Sequence, residues 1–409
     1  MTQPSYDVVL YGATGFTGRQ AAWYFAENVD STKVRWALAG RNLRKLETLK
    51  ANLGPDFEHV DLLVADSTDL DSVERMVSKT RVLLTTAGPY ALYGKPIVAA
   101  CVKHGVDYVD ITGETPFVRD LIDEHHVEAE SKGIKIIPFC GFDSVPSDLG
   151  ALFVVEHMKK VLGQPCKEVK AFFKMKSGLN GGTLASVLNL LDSRQLEQLA
   201  DPFLLNPSNR QSDEERKRNP DQKHAQFDKD LGRWTAPFLM APVNTRVVRR
   251  SHALFSEYGS SYGNHFSYHE SLDIGEKKRF KASMIASGQS LFEGLGKIGG
   301  VRSLLRRMGP KPGEGPTEAE MNGGFFRCIL IGKTEDGQIV RARMQGAGDP
   351  GNRNTVKMLC ESALCLALQR DELPGGARRG GILTPATGLG FVLIERLKAA
   401  GVSLEIEEG

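Results

Sequence analysis

Seven residues constrain the fold of this 409-residue chain more than any others. Gly12-Ala13-Thr14-Gly15-Phe16-Thr17-Gly18 follows a short apolar run, Tyr6–Tyr11, and precedes a helical stretch, Arg19–Glu27. Glycines at these intervals let a strand turn tightly into a helix, admit a ligand close to backbone, and let helix and strand approach each other. A helix N-terminus presents unsatisfied amides and a dipole that favours anions. The motif therefore points to a dinucleotide pyrophosphate. The spacing is GxxGxxG, a nucleotide-fold variant that is weak alone and gains its weight from the alternating strands and helices C-terminal to it.

Further short apolar runs recur at Val34–Ala39, Val60–Ala65, Val82–Thr86, Val106–Ile111 and Ile134–Phe139, with helical patterns at about 43–53, 69–79, 91–104 and 115–131 between them. Such alternation predicts an α/β, doubly wound parallel sheet of Rossmann type over residues 1–150. The strands are apolar throughout, as expected when helices cover both faces. Residues 151–354 read as a second, α+β domain for substrate binding or dimerisation. Strands are expected there at Lys167–Lys176, Val247–His252, His265–Glu270, Phe325–Lys333 and Gln338–Met344. The last two are joined by Thr334-Glu335-Asp336-Gly337, whose Asp-Gly pair signals a hairpin, so the sheet is expected to be antiparallel. The polar stretch 206–230 reads as an exposed, mobile excursion. Over 355–409, Thr355–Leu368 and Gly390–Ala400 read as helices that pack back onto the first domain.

Composition excludes several classes. Lys plus Arg number 52 against 50 Asp plus Glu, a net +2 that gives no nucleic-acid signature. Hydrophobic residues at 41% and charged residues at 25% describe a globular chain. Six cysteines without a CxxC pair form no disulfide scaffold and no metal site. Cys101, Cys140 and Cys328 read as small buried hydrophobes, in keeping with a reducing cytoplasm. No targeting segment or membrane span is expected. Ser283–Arg307 mixes apolar residues with glycine and closes on Arg302, Arg306 and Arg307. It reads as a surface helix or loop, with peripheral membrane contact or a lid over a lipid-like substrate as the sharper reading. His125 and His126, in a charged helix, are expected to be solvated.

The second strand ends Ala39-Gly40-Arg41-Asn42, with Arg44 and Lys45 one turn later and no carboxylate. An NAD site would place Asp or Glu here, whereas Arg41 suits a 2′-phosphate, so NADP(H) is expected. Asp66 and Ser67 would lie near the adenine, unless Asp66 caps the next helix; Asp69 is the other cap. Thr86, Ala87, Gly88 and Pro89 leave room for the nicotinamide ribose, with Tyr90 beside the reacting ring and Tyr93 in reserve. Glu114 and Asp143 lie at the equivalent edges of the next two strands, either as polar site residues or as helix caps.

With these residues in hand, the chain resembles saccharopine dehydrogenase-like oxidoreductases at GATGFTG (12–18), AGR (39–41), GPY…YGKPIVAAC (88–101), DYVDITGE (107–114) and CGFDSVPSDLG (140–150). More narrowly it is similar to the bacterial trans-acting enoyl reductase family at NGGTLASVL (180–188), DPFLLNP (201–207), APFLMAPVNTRVVRRSHAL (236–254), GDPGN (348–352) and GGILTPATGLG (380–390). The resemblance implies an NADPH-dependent reductase acting in trans for a polyketide or lipid synthase, on a small or carrier-bound lipid-like substrate. Hydride would reach the β-carbon of a conjugated thioester and a proton its α-carbon, with Tyr90 stabilising the enolate or relaying the proton. By analogy of fold, a homodimer through the second-domain sheet is expected. Two alternatives stand beside this. One is a C–N oxidoreductase on an amino-acid-like imine, with Arg246, Arg249 and Arg250 available for substrate carboxylates. The other is a non-catalytic NADP-binding scaffold.

Overall fold

Strands without polar alternation are stable only where both faces are covered. The computed structural model, which describes residues 4–177, 196–207, 211–296, 299–308, 311 and 313–407, builds that arrangement. In chain order the first half comprises β1 (Tyr6–Tyr11), α1 (Phe16–Asn28), β2 (Trp36–Gly40), α2 (Leu43–Leu53), β3 (Asp61–Val64), α3 (Leu70–Val77), β4 (Thr80–Thr85), α4 (Tyr90–His104), β5 (Asp107–Val109), α5 (Thr115–Ser131), β6 (Lys135–Ile137) and α6 (Val145–His157). The second half adds β7 (Cys166–Lys176), β8 (Gln226–Asp228), β9 (Arg233–Ala236), α7 (Ala241–Glu257), β10 (Ser267–Gly275), α8 (Arg279–Gly296), α9 (Gly299–Met308), β11 (Phe325–Thr334) and β12 (Ile339–Ala347). It ends with α10 (Thr355–Leu368), β13 (Gly381–Ile382), α11 (Gly390–Ala399) and β14 (Val402–Glu407).

The first sheet has the order β13-β6-β5-β4-β1-β2-β3, and every pair in it is parallel. This is the doubly wound arrangement, with β13 added at one edge from far along the chain. Helix α10 lies against α1, β4 and β5 on one face. The second sheet runs β14-β12-β11-β7-β10-β9-β8. It is mixed rather than purely antiparallel, because β7 and β10 pair in parallel while their neighbours are antiparallel. The hairpin between β11 and β12 turns through Gly337 at φ +90°.

Two sequence expectations change here. Val247–His252 is helical, lying in the middle of α7. That helix is buried nearly all round, because its arginines lie inside the protein together with its apolar residues. Most of 211–230 is exposed, as expected, yet it is tied to the fold. Ser212 and Glu215 form a capping box, residues 226–228 pair with β9, and Asp221 binds the buried Arg246. The 180–188 motif lies outside the described residues.

Candidate functional site

In a doubly wound sheet the chain leaves β1 and β4 toward opposite faces, which opens a crevice at their carboxyl ends. The 12–18 loop occupies the β1 side. Gly12 sits at φ +83°, and a Cβ there would fall 2.9 Å from Ala87 N and 2.9 Å from the Thr86 hydroxyl. A Cβ on Gly18 would fall 2.2 Å from Gly12 O. Thr86 donates its hydroxyl to Gly12 O at 3.1 Å, and the amides of Gly12 and Ala13 donate to Ala39 O at 3.0 and 3.1 Å. These bonds fix the loop against the ends of β2 and β4. Gly15, the N-cap of α1, receives no side-chain cap, and the first turn holds no carboxylate. Helices α2 and α3 differ: Asn42 accepts from Lys45 N at 3.0 Å, and Asp69 accepts from Ser72 N at 3.2 Å. The α1 terminus alone of these three lacks a side-chain acceptor, so its amides fit an external anion.

Arg41, Arg44 and Lys45 are exposed beside this terminus. None of them has an ion pair within 4 Å among the described residues, which fits a second anionic group here. Asp66 does not cap a helix. It accepts from the Thr68 amide at 2.9 Å and the Thr68 hydroxyl at 2.8 Å. The amide bond first, then the hydroxyl and Arg41, hold its carboxyl below the usual range. Burial raises the pKa of the Tyr11 phenol, and the neighbouring Ser67 opposes that rise.

At the other end of the crevice the candidates separate. Tyr90 is buried, stacks on Phe117 with ring centroids 6.3 Å apart, and donates its hydroxyl to Thr85 O at 3.2 Å. The Ile111 amide donates back to it at 3.5 Å. Burial drives this phenol well above its ordinary value. Tyr90, expected beside the reacting ring, is thus a core residue whose hydroxyl is engaged by the backbone. Glu114 is also fully buried, and its carboxylate accepts from Tyr90 N at 3.0 Å and Ala91 N at 2.9 Å. It caps α4, the helix-cap alternative of the two that the sequence left open.

Tyr93 and Asp143 remain. Tyr93 is half-buried near the start of α4, and its hydroxyl makes no hydrogen bond among the described residues. Asp143 is half-buried just beyond β6 and likewise unengaged; loss of solvation pushes its carboxyl up to about 6. Beneath it, Ser144 donates to Asn244 at 3.1 Å, and Asn244 donates to Glu270 at 2.7 Å. Glu270 also accepts from Ser147 at 2.7 Å and Tyr268 at 2.9 Å, and burial pushes it up to about 7.

The second half of the chain adds contacts that local sequence did not reveal. Thr355 accepts from Phe142 N at 3.2 Å, and Met240 Cε lies 3.7 Å from where a Gly113 Cβ would sit. Gly315 packs on the Phe16 ring so closely that a Cβ would fall 2.4 Å from it, while Arg19 donates to Gly313 O at 3.2 Å. The glycines at 313 and 315 were the one local signal for this close approach. A cavity of about 630 Å³ opens between β7, β10 and the 220–228 segment. Residues 86–93 and 140–144 do not line it, and its Lys170 is already paired with Asp228 and Asp230 at 3.0 and 2.7 Å.

The three α7 arginines are not available to substrate. Arg246 binds Asp221 bidentately at 2.6 Å and donates to Leu199 O and Asp201 O. Arg249 donates to Pro202 O and Tyr268 O, and Arg250 to Leu205 O and Ile382 O. His126 is not simply solvated either. It accepts from Ile382 N at 3.0 Å, and burial, then Arg250, lower it to about 4.

Comparison with known proteins agrees with this architecture. The saccharopine dehydrogenase NADP binding domain matches residues 8–137. A Mycobacterium tuberculosis relative that carries the name trans-acting enoyl reductase provisionally is 38% identical over 99% of this chain and 98% of its own length. The trans-acting enoyl reductase of Mycobacterium leprae is 36% identical over 97% of this chain and 96% of its own. Among solved structures, apo saccharopine dehydrogenase (L-Glu forming) from Saccharomyces cerevisiae covers 98% of this chain and 100% of that one. Its TM-score is 0.54 at 14% identity, which shows a shared fold.

Proposed function

Because the chain belongs to the trans-acting enoyl reductase family of saccharopine dehydrogenase-like oxidoreductases and is an NADP-dependent oxidoreductase, we propose that it reduces the C=C bond of an enoyl thioester, with Asp143 as the proton donor. The carrier of that thioester would be a partner polyketide or lipid synthase. NADPH, when bound, supplies the hydride for the β-carbon. The uncapped start of α1 would hold its pyrophosphate, and Arg41, with Arg44 and Lys45 beside it, its 2′-phosphate. Asn42 shapes this end by capping α2, and Asp66 and Ser67 border the adenosine. Thr86, Ala87, Gly88 and Pro89 form the floor under the nicotinamide ribose.

The observation that carries the assignment is the unengaged Asp143 carboxyl, pushed up to about 6 at the carboxyl edge of the sheet. A reduced enoyl thioester needs one proton at its α-carbon, and a carboxyl whose pKa is raised toward neutrality keeps a protonated fraction there that can give it. Tyr93, whose hydroxyl bonds none of the described residues, is the donor that would steady the enolate oxygen. An amino-acid-like imine would need cations for its carboxylates, and Arg246, Arg249 and Arg250 are all occupied by the protein itself. That observation disfavours the C–N reading.

NADPH oxidation measured against enoyl thioesters and cyclic imines separates the readings; turnover of imines alone would replace the enoyl assignment. Asp143→Asn is expected to lower kcat by about 10²–10⁴-fold while NADPH affinity holds. The acid works only when protonated, so wild-type kcat/KM should fall as pH rises through about 6, and the Asp143→Asn profile should be flat there. Full turnover by Asp143→Asn would remove it from the mechanism.

A further inference from the structure

Helix α8 (Arg279–Gly296) seats on β8 and β9, with Ala282 and Ala286 buried. Away from that seat, Phe280, Met284, Leu291 and Leu295 are 78%, 58%, 62% and 40% exposed. At 3.6 residues per turn these four lie within about 60° of arc, a single stripe along the helix. Around Gly288 and Gly294 a Cβ would meet nothing within 4 Å, so no described residue covers the face there. The stripe begins among cations. Lys277, Lys278 and Lys281 are exposed, with no ion pair among the described residues, and Glu276 is the one carboxylate beside them. Arg279 lies over the Trp234 ring at 5.5 Å, and the half-exposed Phe227 packs edge-on against Trp234 at 5.9 Å, which widens the apolar patch. At the end of α9, Arg307 and Met308 are exposed too.

Solitary apolar side chains on a surface need no explanation; a continuous stripe with a cationic rim does. We propose that α8 is a membrane-docking helix that lies in the headgroup layer of an anionic bilayer, with the 280/284/291/295 stripe toward the acyl chains and Lys277, Lys278 and Lys281 against lipid phosphates. The charges select this occupant. A cationic rim with one carboxylate is complementary to anionic headgroups and repels a second copy of itself. One helix stripe with glycines between its side chains also falls well short of the roughly 800 Å² per partner of a stable protein interface. An amphipathic helix with lysines beside a Phe/Leu face is the pattern that binds such surfaces. The inference does not depend on which bond the enzyme reduces.

Co-sedimentation of the full chain with phosphatidylglycerol-rich vesicles and with pure phosphatidylcholine vesicles tests it. The wild type should pellet with the anionic vesicles at low salt and be released by added salt. Met284→Glu/Leu291→Glu should weaken that binding at least tenfold. Serine at 277, 278 and 281 should weaken it about fivefold per lysine removed. NADPH binding and the thermal midpoint, measured alongside, should not move in either variant. A wild type that stays in the supernatant at low salt overturns the proposal, and so does vesicle binding that survives Met284→Glu/Leu291→Glu. A dimer mass by light scattering that collapses to monomer in that variant, without vesicle binding, overturns it in favour of a second copy on this face.

Discussion

Two sets of cations in this molecule have opposite fates. Arg246, Arg249 and Arg250 on α7 are almost wholly buried and spend their donors on Asp221 and on backbone carbonyls of residues 199–205, 268 and 382. Arg41, just after β2, and Arg44 and Lys45, in the first turn of α2, are exposed and have no carboxylate within ion-pair distance among the described residues. The first set ties the turns at 199–205 to α7 and to strands β10 and β13. The second is left open where an anionic ligand would arrive. The contrast shows that the type of residue does not decide its role; the acceptors that the fold brings to it do.

The largest test of this contrast is Arg250→Ala. It strands the carbonyls of Leu205 and Ile382, and it should cost about 2–5 kcal/mol of stability, read from the denaturant midpoint, with NADPH affinity unchanged. A loss of NADPH affinity without a loss of stability would erase the distinction between the sets. Arg41→Ala should do the reverse. NADPH affinity should fall about 10–100-fold, as for a lost hydrogen bond to a charged group, with NADH affinity unmoved and stability within about 0.5 kcal/mol of wild type. Unchanged NADPH binding would remove Arg41 from the phosphate site. The smallest effect sharpens the comparison between neighbours. Asn42→Ala removes the α2 cap and should cost about 1 kcal/mol of stability. Its NADPH affinity should change much less than that of Arg41→Ala, because the Asn42 side chain already serves the helix.

The first six strands are legible because each is a local apolar run bounded by turn signals, and the 12–18 loop is legible because phosphate binding needs glycine at fixed places in one short segment. Strands β13 and β14 are not. They are two and six residues long, and their partners lie far away in the chain, β6 for β13 and β12 for β14. The middle of α7 reads as a strand because its arginines interrupt the apolar period, and only the tertiary fold supplies the carbonyls that let them be buried. Tyr90 and Tyr93 stand three residues apart on one helix. Spacing does not tell that the hydroxyl of Tyr90 is taken by Thr85 O while that of Tyr93 bonds none of the described residues. Glu114 and Asp143 are equally ambiguous between cap and site. The free amides at the start of α4 take Glu114, and nothing among the described residues takes Asp143.

What the sequence determined alone is the nucleotide half: a turn that requires Gly12 and Gly18, strands that must be covered on both sides, and a β2 end without a carboxylate. These properties come from backbone sterics and from charge, which act over a few residues. The tertiary structure decided which carboxyl, which phenol and which arginines remain free. Hydrogen-bond partners are assigned by contacts between residues tens to hundreds of positions apart, and a polar side chain is open to a ligand only if none of those contacts satisfies it first.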